Sequence, residues 1–328
     1  MTAELAPSVA PGRPIRRRLS WIVANPLPLV LVVLAGSFQI ETGVFLTSEN
    51  LTNVLAQSSI LLVVAIPLAF LMLAGGVDLS IGSMAAIGGV VAASLIKGGT
   101  PELVALVAIL ALGLLLGFGQ GALVSWAGFS PLIVTFGTLT AGRGIALAIS
   151  PQSNFDFGPG MSAYGNGRFL HIPWLVWTAI LAIVAAEIVF RLLPLGRTVF
   201  AIGANPRAAL LSGLPVRRVT VSLYVLSAMA ATFGGFMFIA RLNSAPAGTL
   251  GQGLELDALT ACLLGGIAFG GGKGSPTGAV LGVLTLGVLQ NGLQLMAVPT
   301  AWSLAVKGMV LVAAAGLAVV SSRARSGR

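Results

Sequence analysis

Four stretches hold the residues that could do chemistry. The first is Gly75-Gly76-Val77-Asp78-Leu79-Ser80-Ile81-Gly82-Ser83, which sets one carboxylate between two apolar runs. Two glycines can end a helix, and Asp78 can cap the next one by accepting the amide of Ser80 or Ile81. An acidic group between membrane spans is also costly and marks a moving or ligand-facing position. Gly75, Gly76, Asp78 and Ser80 are therefore candidates for a gating junction. The second stretch, Gly251-Gln252-Gly253-Leu254-Glu255-Leu256-Asp257, puts Glu255 and Asp257 in the first turn of a short apolar helix, where carboxylates complement the macrodipole. A helix over 255–270 is roughly 24 Å long, short for a full crossing. Short segments bounded by glycine point to a discontinuous helix beside a pathway.

The third set is Gln57, Gln290, Asn291 and Gln294, amides inside otherwise apolar runs. Gln290 and Gln294 share a helix face. Such groups bond between helices in lipid, or they line the outer half of a path for a hydroxyl-rich solute. The fourth, Phe269-Gly-Gly-Gly-Lys273-Gly274-Ser275, has the glycines and lysine of a phosphate loop but not its order. That loop needs Ser or Thr directly after the lysine and a strand before it. The chain binds no ATP by this route, so an ATPase driving it would be another polypeptide. No Ser/His/Asp set or carboxylate pair is visible. His171 and Cys262 each stand alone, which excludes a metal cluster of the usual ligand spacing and an intramolecular disulfide.

The elements that must carry these residues are membrane helices. Of 328 residues, 56% are hydrophobic and only 8% charged, where a soluble domain carries about a quarter charged residues. Spans need about 20 mostly apolar residues. Ten are expected, near 21–40, 52–74, 79–96, 102–125, 131–149, 173–193, 219–240, 254–270, 276–296 and 301–320. The fold class is all-α and polytopic. A single transmembrane domain over 21–320 lies between an N-terminal tail (1–20) and a C-terminal tail (321–328), both cytoplasmic. The first run continues to Glu41 without an obvious signal-peptide cleavage site.

Charge sets the orientation. The net charge of +9 is spread over short segments between apolar runs, as the positive-inside rule produces, and does not read as a nucleic-acid site. The 194–218 loop concentrates Arg197, Arg207, Arg217 and Arg218 and so faces the cytoplasm. Glycine rows at Gly113, Gly117 and Gly121 and at Gly278 and Gly282 suit close helix packing in lipid, chiefly within one protomer. Leu73–Val77 and Leu263–Ile267 echo one another, as weak repeats in transporter halves do.

Together these stretches resemble the membrane permease subunits of ribose-type ABC sugar importers. The resemblance rests on L-A-G-G-V-D-L-S-I-G-S at 73–83, S-P-L-I-V-T-F-G-T-L at 130–139, G-A-N-P-R-A-A-L-L-S-G-L at 203–214, and L-E-L-D-A-L with G-G-G-K-G-S-P-T-G at 254–259 and 270–278. It implies a bacterial inner-membrane protein that passes a monosaccharide or similar polar solute into the cytoplasm. It implies a second permease copy, identical or not, a periplasmic sugar-binding protein, and a cytoplasmic ATPase subunit that holds the ATP and magnesium. It also implies that Gly203, Asn205, Arg207, Ala208, Ala209, Ser212 and Gly213 dock on that ATPase. Pro206 departs from the family pattern but is tolerated in a first helical turn. The alternative from another class is a carrier driven by an ion gradient, for which Asp78 and Glu187 are the candidate sites. Glu187 precedes Arg191 by one helical turn, which suits an ordinary ion pair.

Overall fold

A computed structural model describes residues 27–326. The N-terminal tail, the start of the first expected span at Trp21, and Arg328 lie outside the described residues. The helices are α1 (Leu27–Thr42), α2 (Ser48–Leu73), α3 (Ile81–Lys97), α4 (Glu102–Ser125), α5 (Pro131–Ile149), α6 (Gly158–Asn166), α7 (Trp174–Leu192), α8 (Pro194–Ala204), α9 (Pro206–Leu211), α10 (Val216–Leu242), α11 (Leu254–Leu264), α12 (Pro276–Leu295) and α13 (Thr300–Ser326). Six of these, α2, α4, α5, α7, α10 and α12, are long and apolar enough to cross a membrane, and α1, α3 and the 300–316 part of α13 are shorter apolar helices.

Helix starts follow local rules. Proline occupies the first turn of α5, α8, α9 and α12, where its missing amide costs nothing. Side-chain caps add to this: Ser275 accepts the Gly278 amide and Asn205 accepts the Ala208 amide. Helix ends use left-handed residues. Gly75 (φ +85°) closes α2 with its own amide on Met72 O and the Gly76 amide on Leu71 O. Gly266 closes α11 with the same pair of bonds, to Leu263 and Cys262. The echo between 73–77 and 263–267 is thus one helix ending used twice, with the left-handed glycine displaced by one position. It also explains why α11 stops at Leu264, short of the 270 expected from hydropathy.

Burial separates centre from periphery. The most apolar window of α2 is 78% buried and that of α10 is 67%, whereas α4, α5 and α7 range from 17% to 22%. α2 and α10 therefore form the core, and the others present apolar surface outward, as lipid-facing helices do. α10 packs against α4, α3 and α2, while α12 joins α1, α2 and α11. The glycine rows are used inside the chain. A Cβ on Gly117 would lie 2.7 Å from Tyr224 O and Val225 Cα, and one on Gly121 would lie 2.8 Å from Val221 Cα. At the end of the bundle opposite α8 and α9, α6 is flanked by two short antiparallel pairings. β1 (Asn154–Phe155) pairs with β4 (Ser244–Ala245), and β2 (Arg168–Phe169) pairs with β3 (Ile172–Pro173).

Candidate functional site

Asp78 sits in the 74–80 linker, 1% exposed, and meets three donors. One carboxylate oxygen accepts from the Ser80 amide at 2.9 Å and the Ser80 hydroxyl at 2.6 Å. The other accepts from the Ser227 hydroxyl of α10 at 2.7 Å. Gln120 of α4 donates to Ser80 Oγ at 2.8 Å, and the Tyr224 hydroxyl donates to the Val77 carbonyl. The linker between α2 and α3 is thereby tied to α10 through Asp78 and Val77 and to α4 through Ser80.

The arginine-bearing end is built on backbone-to-backbone contact. α8 turns Gly196, Val199 and Ile202 inward, leaving Arg197 exposed. At its last turn a Cβ on Gly203 would overlap the Leu73 carbonyl, which accepts the Gly272 amide at 2.9 Å. A Cβ on Gly271 would lie 2.8 Å from Gly75 N and 2.9 Å from Gly203 Cα. The Gly-rich 270–274 loop is therefore a seat where the ends of α2 and α8 meet. Beyond it, α9 buries Ala209 and exposes Leu210 and Leu211, at 57% and 83%. Arg207, Ala208, Ser212 and Gly213 are exposed, and Gly213 (φ +80°) closes the hexapeptide helix.

Toward the other end lies a cavity of about 230 Å³ between α2, α10, α11, α12 and α13. Its polar lining comes from Gln57, Ser58, Thr249, Gln252, Asp257, Gln290 and Lys307. Lys307 Nζ is 2.7 Å from Asp257 Oδ2. Glu255, two residues earlier on α11, points the other way, toward Gly82, with which a Cβ would collide. There Arg143 of α5 donates to the carbonyls of Leu250 and Gly251 at 2.5 and 2.8 Å. The first turn of α11 is thus held between cations from two different helices. Among the described residues, no three His, Cys, Asp or Glu side chains gather as a metal site would need.

Residues 50–315 match the family described as "Branched-chain amino acid transport system / permease component". The chain belongs to this permease family. It is 35% identical over 301 residues to the ribose import permease protein of Bacillus subtilis, covering 91% of this chain and 92% of that one. It is 32% identical to the galactose/methyl galactoside import permease protein of Salmonella typhimurium, over 91% and 95% of the two chains. It is 31% identical to the D-allose transport system permease protein of Escherichia coli, over 96% and 97%. No solved structure matches. The permease is a multi-pass protein of the bacterial inner membrane and a transport subunit, not an enzyme.

Within the permease the residues singled out in the sequence separate into groups. Gln57 and Gln290 line the cavity together with Asp257. Asn291 does not; it exchanges two amide bonds of 2.8 and 3.0 Å with Asn50. Gln294 is exposed outside the cavity. Glu187 pairs with Arg191 and also accepts from Thr277 at 2.5 Å. Sequence reasoning passed over Lys307, Arg143 and Ser58. A lone lysine in A-W-S-L-A-V-K-G-M-V and a lone arginine in L-T-A-G-R-G-I-A are signals in themselves, because charge inside a span is costly without a partner.

Proposed function

We propose that this chain forms the membrane path of an ATP-driven importer for a monosaccharide or similar small polar solute. It crosses the membrane ten times with both termini in the cytoplasm, and works with a second permease copy. A periplasmic binding protein delivers the solute, and a separate cytoplasmic ATPase subunit holds the ATP and magnesium. The observation that carries the reading is full-length similarity to permeases whose names specify ribose, galactose and allose import. The family's own description mentions branched-chain amino acids, but the cavity favours the sugar reading. Beside apolar residues such as Leu61 and Phe238, its uncharged polar lining is amide and hydroxyl, and its two charges are already paired with each other.

In this reading α8 and α9 are the coupling segment. A capped two-turn helix presenting Leu210 and Leu211 to water, ringed by exposed arginines, has the make-up of a protein contact. The exchange of Leu211 for Asp tests it cleanly, because that side chain is already in water. Gly213→Asp would in addition strain a left-handed backbone. Leu210→Asp/Leu211→Asp is expected to insert normally, to lose co-purification of the ATPase, and to take up less than about a tenth of the wild-type amount of sugar, the loss of two buried apolar contacts. Wild-type uptake by that variant rules out the docking role. Uptake that survives ATP depletion but collapses with an uncoupler would support an ion-gradient carrier instead.

A further inference from the structure

We propose that the cavity beside Gln57, Ser58, Asp257, Gln290 and Lys307 is a binding site for one neutral polyhydroxylated solute, selected for neutrality by the Asp257–Lys307 ion pair. This rests on the importer reading and assigns the residues that would contact the solute.

The charge argument comes first. Among the described residues Asp257 and Lys307 are the only full charges in the lining, and they lie 2.7 Å apart. A sugar phosphate would bring net, unpaired charge into a half-buried site, at a cost of several kcal/mol, and an amino-acid zwitterion would give up the hydration of two charges to a pair already matched within itself. Hydroxyl groups impose no such cost. The carboxylate has acceptor positions beyond the one Lys307 uses, and the ammonium has three donors. Vicinal hydroxyls can bridge the pair without separating it.

The second observation is an orphan hydroxyl. Ser58 is 2% exposed and lines the cavity, and its Oγ, buried in the wall against Gly287, has no hydrogen-bond partner among the described residues. Buried polar groups are nearly always bonded, so an unmatched one in a cavity wall points to a ligand group. Gly287 opposite keeps the place open, since a Cβ there would collide with Ser58 Oγ. The amides of Gln57 and Gln290 add donors and acceptors on adjoining helices. The volume, about 230 Å³, is below the roughly 300 Å³ at which drug-sized pockets begin, and suits a single small solute.

The test uses membranes carrying the complete transporter, with Leu61→Cys, a lining position with no polar group, as reporter and a polar maleimide as probe. The native Cys262 is wholly buried and gives little background. D-ribose, D-galactose and D-allose are compared with L-leucine and ribose 5-phosphate, and uptake is measured in parallel. A neutral sugar at about ten times its dissociation constant is expected to slow labelling about tenfold, by occupancy alone. Leucine and the phosphate are expected to leave the rate unchanged. Gln294→Cys, outside the cavity, should react equally with and without sugar. Ser58→Ala, which removes one oxygen and no hydrogen bond within the described residues, should weaken the protection, and Lys307→Met should remove the bias toward neutral solutes. Unprotected Leu61→Cys in a transporter that still takes up sugar overturns the site and leaves the importer reading standing. Equal protection at Gln294→Cys overturns it too, because the effect is then not local. Protection by leucine or the phosphate overturns the selectivity. Failure of the wild-type transporter to take up any of the three sugars overturns the importer reading and the site with it.

Discussion

Asp78 has two chemistries open to it, and its surroundings favour one. A proton-coupling carboxylate needs a partner whose affinity changes during the cycle. Asp78 instead has both oxygens occupied by Ser80 and Ser227, donors that stay where the fold puts them. Its role is that of a tie between the α2–α3 linker and α10. Asn keeps the shape and can keep all three contacts, because the Ser227 hydroxyl can turn to accept instead of donate. Ala leaves three buried donors without an acceptor, a loss of about 2–5 kcal/mol. Asp78→Asn is therefore expected to retain uptake within about threefold of wild type, a cost under about 1 kcal/mol. Asp78→Ala is expected to reduce the amount of folded protein in the membrane. Measuring uptake per folded molecule separates the two, and loss of uptake in a well-folded Asp78→Asn protein would return the carboxylate to a coupling role.

The glycine rows explain how helices with little shape of their own find their neighbours. Along α4, Gly113, Gly117 and Gly121 face α10 closely enough that a methyl group would strike its backbone, while Gly119 has open space around it. Gly117→Ala should destabilise the purified chain by about 1–3 kcal/mol through overpacking, whereas Gly119→Ala should stabilise it by up to about 1 kcal/mol through helix propensity. Thermal unfolding in detergent checks both, and equal effects would mean that the two helices are not in close contact. This much was legible in the sequence, because spacing along one helix fixes which residues share a face. Apolar runs likewise gave α4 and α5 their observed bounds. What stayed hidden depends on partners distant in the chain. Asn291 looks like a pathway residue until Asn50 is seen to use both of its amide bonds. Lys307 and Asp257 pair across 50 residues, and no local pattern announces it. The β2–β3 hairpin was equally invisible. Its turn puts Leu170 and His171 at positive φ, where Asn and Gly are the usual signals.

The whole molecule places the proposed coupling segment and the proposed solute site toward opposite ends and joins them by the same helices. α2 begins its close contact with the Gly-rich seat at Leu73 and carries Gln57 and Ser58 into the cavity wall, about 24 Å away by helix rise. α11 also runs between the two, from Asp257 at the cavity to the Gly265–Gly266 turn that leads into the seat. Close-packed backbone at the seat leaves no compressible side chain to absorb a displacement, so a push on α8 is passed to α2 as a rigid shift. Gly203 is the contact to test, since a methyl group there must displace the Leu73 carbonyl and its bond from Gly272. In membranes holding the whole transporter, the labelling rate of Gln57→Cys is expected to change on adding ATP by about fivefold or more, the scale of an ordinary coupling free energy. Adding Gly203→Ala should leave the ATP-free rate near its original value and abolish the ATP-dependent change. An ATP response that survives Gly203→Ala would mean that the signal bypasses the seat, leaving α10, which continues directly from α9 and Leu214 to Phe238 in the cavity wall, as the element that carries it.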